Sequence, residues 1–348
     1  MIDTIKMFTM INPYIYNNIM AKGNVKTSYN NETKEIFYTI INGNIEGSYN
    51  SNFSIRVGNG EKYKFVNMYF IEIEGSYHKI VRGYNSHNGF YNIQNIAYDF
   101  IKLTEQAYNV TLPTLKHWFL QRVDIALCYD LGSQNNVETY IDNLNSCNYP
   151  KRKLKHYEGE SIYLTGTTTT LKIYNKLKEF EKHDLKKFQN TDFNLPEYLN
   201  EINGFVRFEC EIKKKKLQSF YGENFIRISN VNYADLKKIW TQEFSKLLKL
   251  LNGDLKIIQD RASISNRLQN CFSKVRANNL YNFYILIETE GLQTVKKRTC
   301  KSVFYKNISD LRKVQIDFSQ KFNVNMNDNR INFNPFESDE IIWKYRMI

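Results

Sequence analysis

The sequence predicts an α+β protein, with a mainly antiparallel sheet and packed helices followed by a smaller helical domain. Short β-branched and aromatic runs separated by Asn/Gly turns dominate residues 1–130. Strict alternation returns at 205–213, and beyond Tyr233 the apolar spacing becomes helical. We therefore divide the 348-residue chain into domains 1–225 and 226–320, with a loosely held tail at 321–348.

The first domain opens with strands. Residues 64–74 predict a long strand that ends at Gly75, and a second short strand is expected to follow through Val81. The apolar spacing across 92–110 is helical, and residues 119–127 return to a strand pattern. This order predicts a sheet with a long helix packed on it.

A hairpin is predicted in the second half of this domain. A helix over 136–145 precedes it, and its strands 161–164 and 169–174 flank a Thr-Gly-Thr turn. A charged helix is expected to start near Lys176 and to continue, with interruptions, to about residue 203. The hairpin therefore leads into helical structure.

One more strand precedes the helical domain. Residues 205–213 alternate, which places three charged residues on one face, namely Arg207, Glu209 and Glu211. From Leu236 to Leu251 a single apolar stripe predicts a long helix. Further helices are predicted at 264–277, 279–289 and 293–313.

The net charge of +12 indicates an anionic partner. The charge is spread along the chain and forms no basic amphipathic helix, which favours nucleic acid over a membrane surface. The 25 tyrosines and 23 phenylalanines suit stacking on unpaired bases, although an AT-rich genome would raise the same residue types. We expect no membrane partner, because no apolar run reaches the roughly 18 residues of a spanning helix.

Several function classes lack their motifs. The chain has no P-loop, no dinucleotide-binding glycine pattern and no nucleophile elbow. The five histidines form no metal-binding pair, and the five scattered cysteines include no C-x-x-C. No signal peptide is expected, because the N-terminus lacks the basic-then-apolar order. Reduced thiols in a cytoplasmic protein fit this pattern best.

Three carboxylates are candidate ligands for a hard cation such as Mg²⁺ or Mn²⁺. Glu72, Asp124 and Glu209 each lie between apolar residues on a predicted strand. A sheet can bring such residues together, and hard cations prefer carboxylate oxygens. The alternative is that each occupies the exposed face of its strand.

Tyr174 is the candidate nucleophile. On a strand, Lys172 and Lys176 would project from the same face as this tyrosine. A phenol with a pKa of about 10 is a weak nucleophile at neutral pH. Neighbouring ammonium groups and a divalent cation would stabilise the phenolate and the phosphate that it attacks. Periodicity alone leaves the alternative of a tyrosine ring in the core.

A set of short elements gives a family resemblance by its order and spacing. The elements are Met1-Ile2-Asp3, Glu72-Ile73, Lys79 with Gly83 and Asn85, Arg122-Val123-Asp124, Tyr174-x-Lys176-x-x-Glu179, Val206-Arg207-Phe208-Glu209, and Val314-Gln315-Ile316-Asp317-Phe318-Ser319. The chain resembles the replication initiators of filamentous phages and related plasmids, the gene II/gene X family of nicking-closing enzymes.

The resemblance implies a reaction. Such proteins cut one strand at a double-stranded origin, become linked to the 5′ phosphate through tyrosine, leave a 3′ hydroxyl primer and later rejoin the displaced strand. It implies duplex and single-stranded origin DNA, a host helicase and a host polymerase as partners. The family's nucleophile falls on Tyr174, with Lys176 beside it as a phosphate contact. A divalent ion, Mg²⁺ or Mn²⁺, would be held by Asp124 and Glu209, with Glu72 next.

The chain departs from the family pattern in two places. It has Gly83-Tyr84-Asn85 where the phage pattern has Gly-His-Asn, and it lacks the paired histidines of the broader nickase class. Between Lys155 and Thr168 the match to the family is loose, and Glu158 and Glu160 are equally good candidates for an extra ligand.

Basic residues are candidate DNA contacts in both domains. These are Lys172, Arg122 and Arg207 in the first and Lys296, Lys297 and Arg298 in the second. The two strand arginines would either contact DNA or pair with neighbouring acids. The second group would start a recognition helix or form a solvated helix face. Two alternative functions stay open, a non-enzymatic DNA-binding replication regulator and a mobilisation relaxase.

Overall fold

The computed structural model describes residues 1–22, 24–29, 32, 33, 36–47, 51–59, 63, 68–85, 89–144, 149–251, 261–290, 292–314 and 335. They fall into two compact units. The first holds the described residues of Met1–Asp142, Lys151–Glu243 and Phe333–Ile348, and the second holds those of Asn143–Pro150 and Phe244–Asn332. The main break lies inside a helix, after Glu243, whereas the sequence predicts a boundary near residue 225.

The first unit is built on one antiparallel sheet. Its described strands are β1 (Ile2–Ile11), β2 (Asn24–Tyr29), β3 (Ile36–Glu46), β4 (Asn52–Asn59), β5 (Tyr69–Ser76), β6 (Phe119–Asp130), β7 (Lys153–Tyr157), β8 (Ser161–Thr165), β9 (Thr169–Asn175), β10 (Phe205–Lys213) and β11 (Ile226–Arg227). The strand order is β2-β3-β4-β5-β1-β6-β10-β9-β8-β7, and β11 pairs with β6. The predicted α+β class, with an antiparallel sheet and a helical C-terminal region, is confirmed.

Nine described helices lie in the first unit or begin there. They are α1 (Pro13–Lys22), α2 (Tyr77–Arg82), α3 (Ile93–Tyr108), α4 (Gln134–Asn143), α5 (Lys176–His183), α6 (Leu185–Phe188), α7 (Leu195–Glu201), α8 (Lys214–Tyr221) and α9 (Tyr233–Leu251). The predicted helices at 92–110, 136–145 and 236–251 are confirmed, as is the interrupted helix after Tyr174. Helices α1 and α8 were not predicted from the sequence.

The strand expected through Val81 is wrong, because these residues form α2. His78 and Ile80 are both buried and imitate the alternation of a strand. A helical turn forms instead because Gly83 adopts a left-handed φ of 82° and its N–H donates to the carbonyl of Lys79 at 2.8 Å. The preceding strand is β5, which passes through Gly75; residues 64–67 of the predicted strand lie outside the described residues.

The sheet has one apolar and one polar face because its strands alternate. Helices cover the apolar face. Phe100 of α3 packs edge-on against Phe53 of β4, with ring centroids 4.8 Å apart. Trp240 of α9 packs against Phe208 of β10 and donates its indole N–H to the Phe208 carbonyl at 3.2 Å. The opposite face carries charged side chains, and residues of α2 and α5 border it.

We expect Phe208→Ala to lower the free energy of unfolding by about 3–5 kcal/mol, because the substitution opens a cavity in this core. Phe208 is fully buried and also contacts the rings of Tyr129 and Tyr140. Urea unfolding measures the loss. Tyr98→Ala is the control, since Tyr98 is 52% exposed on α3 and should change stability by less than about 0.5 kcal/mol. Equal losses of stability in the two variants would contradict the assignment of Phe208 to the core.

The second unit contains α10 (Arg261–Cys271), α11 (Lys274–Glu290), α12 (Leu292–Arg298) and α13 (Lys301–Lys313). Its core includes Leu268, Leu280, Ile287 and Leu311, all fully buried. The helix predicted at 293–313 is two helices, which meet at Thr299 and Cys300. Of the resemblance segment 314–319 only Val314 is described, and the tail 321–348 lies outside the described residues except for residue 335. Within the described residues, no helix is long and apolar enough to cross a bilayer.

Candidate active site on the polar face

A pocket of about 340 Å³ lies over the polar face of the first unit. Six neighbouring strands each contribute a lining residue, in the order Ser76, Thr4, Asp124, Glu209, Tyr174 and Ser161. Directly paired residues of antiparallel strands point to the same face. The strand register therefore assembles this pocket from positions that are far apart in the sequence.

Tyr174 lies on β9 and is 7% exposed. Its hydroxyl donates to Glu209 Oε2 at 3.0 Å, and the Arg207 guanidinium carbon lies 5.9 Å from its ring centroid. Burial raises the pKa of the Tyr174 phenol well above 10, and the positive charge of Arg207 opposes this shift. The hydroxyl is therefore protonated at neutral pH, and it already contacts a carboxylate that can accept its proton.

Lys172 links the carboxylates of this face. Its Nζ lies 2.7 Å from Glu209 Oε1, 3.8 Å from Asp124 Oδ2 and 4.0 Å from Glu211 Oε2. Burial opposes its charge, but the carboxylates of Glu209 and Asp124 raise the pKa of Lys172 above its ordinary value. A protonated lysine thus lies beside the acceptor of the tyrosine hydroxyl, as expected from the shared face of Lys172 and Tyr174.

Asp124 is buried on β6 and receives two hydrogen bonds from Arg122. Arg122 Nε and Nη2 donate to the two carboxylate oxygens at 2.8 and 2.6 Å. Arg122 also contacts Glu74 at 3.1 Å. Burial raises the pKa of Asp124 to about 7, and Arg122 opposes this shift. Arg122 therefore pairs with neighbouring acids in this structure.

Arg207 is fully buried beside Tyr174, its partner across β10 and β9, and pairs with Asp3. Its Nη2 lies 3.0 Å from Asp3 Oδ1, and its Nε lies 3.8 Å from Glu209 Oε2. Burial opposes the charge of Asp3, yet Arg207 lowers the pKa of this carboxyl below its ordinary value. The ion pair fixes a positive charge next to the phenol ring.

Lys176 follows Tyr174 in the sequence but belongs to a helix. The strand ends at Asn175, whose side chain accepts the N–H of Lys178 and caps α5. Lys176 is the first residue of this helix, is fully buried, and contacts Glu179 Oε2 at 2.5 Å. It is absent from the pocket lining, although Glu179 is part of it. The strand that carries Lys172 and Tyr174 thus ends before Lys176, because the chain changes from strand to helix there.

Glu72 lies on the same sheet face but outside the pocket. It is buried on β5, where it contacts Lys6 at 2.9 Å and accepts a hydrogen bond from Tyr63. The register pairs Glu72 with Phe8 and Asp124 with Thr4. Glu72 and Asp124 are separated by two strand spacings across the sheet and by four residues along β1. Together these correspond to a distance of roughly 16 Å. The structure therefore does not bring Glu72 to an ion shared with Asp124.

The remaining predicted DNA contacts belong to the second unit. Lys296, Lys297 and Arg298 lie on α12 and are all exposed. Arg298 pairs with Glu290 at 2.7 Å, and the Lys296 ammonium lies 5.7 Å from the ring centroid of Tyr305.

Several pocket residues were not among the predicted site residues. Asp3, Lys79 and Asn85 stand within the family-resemblance elements, so that signal already pointed to them. Tyr163 gave no signal, because only its pairing with Lys172 across the hairpin brings it to the pocket. Of the additional candidate ligands, Glu160 lines the pocket and pairs with Lys182 at 3.2 Å.

Two of the three carboxylates predicted as ion ligands lie in the pocket, namely Asp124 and Glu209. Asp124 and Glu209 share Lys172 as a counter-ion, so their oxygens already converge on one positive charge. Mg²⁺ commonly uses one or two carboxylates together with waters and substrate phosphates. The described residues contain no cluster of three or more His, Cys, Asp or Glu suited to an ion. An ion held by this pair would need waters or a substrate phosphate as further ligands.

Comparisons with known proteins agree with the predicted resemblance. Residues 1–240 match the family described as the N-terminal part of the phage replication-associated protein. The chain is 26% identical to the replication-associated protein of Enterobacteria phage M13 over 172 residues, which cover 44% of this chain and 40% of that protein. It is 22% identical to the protein of the same name from Salmonella phage IKe over 250 residues, covering 60% of this chain and 58% of that protein.

The chain thus spans between about two fifths and three fifths of the curated relatives it matches. No solved structure matches it significantly. The family match covers Asp3, Asp124, Tyr174 and Glu209, and so includes the strands that build the pocket. The chain belongs to the family of filamentous-phage gene II replication-associated proteins, whose N-terminal part it matches.

Proposed function

We propose that this chain starts rolling-circle DNA replication by nicking one strand at an origin, with Tyr174 as the nucleophile. The observation that carries the proposal is the 3.0 Å hydrogen bond from the Tyr174 hydroxyl to Glu209 inside the polar pocket. The family membership and the curated relatives, whose names describe replication, support it.

The proposed step exchanges one phosphodiester for another. The Tyr174 oxygen attacks the phosphorus while Glu209 accepts the phenolic proton. A bond forms between the tyrosine oxygen and the 5′ phosphate, the bond to the 3′ oxygen breaks, and this oxygen takes up a proton from solvent. The tyrosine ester keeps the phosphodiester energy, so a later attack by a 3′ hydroxyl rejoins the strand without ATP.

Fixed positive charges stabilise the phosphate in this step. Lys172 lies 2.7 Å from Glu209, and Arg207 is held against the Tyr174 ring by Asp3. Charges aimed at the developing negative charge in a site shielded from water are a large source of rate enhancement. We assign phosphate stabilisation to Lys172, which lines the pocket, and we assign to Arg207, which is buried outside the lining, an electrostatic effect on the Tyr174 phenol. We assign no phosphate contact to Lys176, whose ammonium is buried on Glu179.

Asp124 and Glu209 would hold a divalent ion, Mg²⁺ or Mn²⁺, together with the scissile phosphate. The ion would supply Lewis-acid neutralisation of the phosphate oxygens. The proposed partners are duplex and single-stranded origin DNA, followed by a host helicase and a host polymerase that extends the 3′ hydroxyl. The proposed place of action is the host cytoplasm.

We expect purified protein to nick supercoiled DNA carrying the origin of its own replicon when Mg²⁺ or Mn²⁺ is present. Chelation by EDTA should abolish the reaction, because the phosphate loses its counter-ion. Gel electrophoresis separates nicked from supercoiled DNA, and denaturing electrophoresis shows DNA covalently linked to the protein. Supercoiled DNA without the origin is the control. Origin binding without nicking under any metal condition would support a DNA-binding regulator instead.

A further inference from the structure

The hairpin beside the pocket carries a second feature that the proposed reaction does not use. We propose that Lys153, Lys155, Tyr157 and Tyr163, here called the hairpin surface, bind single-stranded DNA next to the bond that Tyr174 attacks. This inference rests on the proposed function and deepens it, since it names the residues that hold the single strand beside the site. It is carried by strand register, exposure and charge within the first unit.

The register places the hairpin surface on the same face as the pocket. Lys155 pairs with Tyr163 across β7 and β8, and Tyr163 pairs with Lys172 across β8 and β9. One row along, Tyr157 pairs with Ser161, and Ser161 pairs with Tyr174. Each row spans two strand spacings, about 10 Å. A strand of DNA crossing the rows would therefore meet lysine and tyrosine side chains in turn.

Ser161 lies between the two tyrosines of its row. It is the smallest side chain of that row and, like Tyr163, it lines the pocket. Tyr157 stands at the outer end, 49% exposed, with its ring centroid 6.0 Å from that of Tyr163 and nearly perpendicular to it. An exposed ring next to an open pocket offers a face for an unpaired base.

Among the described residues, no carboxylate pairs with the lysines of the hairpin surface. Lys153 and Lys155 are exposed, and neither forms an ion pair with any residue that the structure describes. The lysines near the pocket differ, since Lys172, Lys178 and Lys182 each contact a carboxylate. Uncompensated lysines alternating with tyrosines suit a phosphate backbone with unpaired bases. Duplex DNA, with its bases stacked inside, would leave the tyrosine rings without a partner.

Hydrogen bonds from Arg152 connect the hairpin to neighbouring elements. Arg152 donates to the carbonyls of Leu164 and Thr169 at 3.0 and 2.9 Å, and to Glu243 at 2.6 Å. It therefore ties the start of β7 to β8, β9 and α9. Arg152 already makes these hydrogen bonds. The hairpin surface therefore takes Lys153 and Lys155 from the basic run 151–155, and not this arginine.

The test measures binding of a short fluorescein-labelled DNA single strand of mixed sequence, without the origin, by fluorescence anisotropy. Tyr157→Ala should weaken binding about tenfold, the loss of one stacked base. The double variant Lys153→Gln/Lys155→Gln should flatten the slope of log K against log salt by about 1.4, the value for two lost phosphate contacts on a single strand. Circular dichroism and thermal melting confirm that each variant is folded.

Matched controls remove the same groups elsewhere. Tyr98→Ala removes a tyrosine of similar exposure, and Lys116→Gln/Lys186→Gln makes the same charge change at exposed positions. Both should bind the single strand as the wild type does. Lysines also protect edge strands from aggregation. If the hairpin variants aggregate more but bind the single strand normally, or if they lose duplex and single-strand affinity equally, the inference is overturned.

The outcome is separable from that of the proposed function. Tyr174→Phe should bind the single strand normally while failing to nick. Normal nicking by the wild type together with unchanged single-strand affinity in the hairpin variants would overturn only the hairpin surface. Loss of single-strand affinity in those variants, with no nicking by the wild type, would support the surface and overturn the nickase.

Discussion

Tyr174→Phe should abolish nicking of origin DNA and formation of the covalent protein–DNA product. The substitution removes one oxygen, and the reaction needs that oxygen to form the new ester. The ring stays, so its contacts in the strand and with Arg207 are kept. The cost to stability is that of one hydrogen bond to Glu209, about 1 kcal/mol. Activity should therefore fall to background in a protein that remains folded.

Tyr140→Phe is the matched control for this variant. Tyr140 is also buried, and burial raises the pKa of its phenol above the ordinary value, but it does not line the pocket. This control should nick at the wild-type rate. A covalent product formed by the Tyr174→Phe protein would show that another residue is the nucleophile, and peptide mapping of the DNA-linked fragment would identify it.

The strand pattern of the sequence was informative where side chains alternate strictly. Residues 205–213 form β10 with the predicted bounds, and the hairpin around the Thr-Gly-Thr turn pairs as expected. Alternation failed at α2, where a left-handed glycine ends a short helix that buries His78 and Ile80. Local periodicity could not distinguish a short helix from a strand here, because both bury alternate residues over so few positions.

The composition of the site was only partly predictable. Local alternation correctly placed Lys172 and Tyr174 on one face of their strand. It also placed Arg207 and Glu209 on one face of theirs. Glu209 accepts a hydrogen bond from the Tyr174 hydroxyl because β9 pairs with β10. That Glu72 lies far from Asp124 depends on β1 standing between their strands. Both facts come from sheet order, and a single sequence does not encode sheet order locally.

Lys176 illustrates a different limit. Its place two residues after Tyr174 predicts a shared face only if the strand continues. Asn175 instead provides a helix cap, and the following lysine turns into the interior against Glu179. Asn is a common capping residue, so the signal was present, but it competed with the strand pattern of the preceding residues.

Glu209→Gln should lower the rate of covalent product formation by about 10²- to 10⁴-fold, the usual contribution of a general base. The pKa of Tyr174 lies well above 10, so at neutral pH its proton must be accepted during the attack. Glu209 is the described carboxylate that contacts the hydroxyl, and glutamine keeps its size while losing this basicity. Single-turnover measurements with excess protein give the rate.

The same variant separates two roles of Glu209. If the carboxylate acts mainly as the base, the Mg²⁺ concentration giving half the maximal rate should stay near the wild-type value while the maximal rate falls. If it acts mainly as an ion ligand, this concentration should rise at least about tenfold, as one lost ligand contact of about 1.4 kcal/mol implies. Glu211→Gln is the control, since Glu211 lies on the same strand face and is 4.0 Å from Lys172. Equal rate losses in both variants would mean that the general negative charge of this face matters, and not the hydrogen bond from Tyr174 to Glu209.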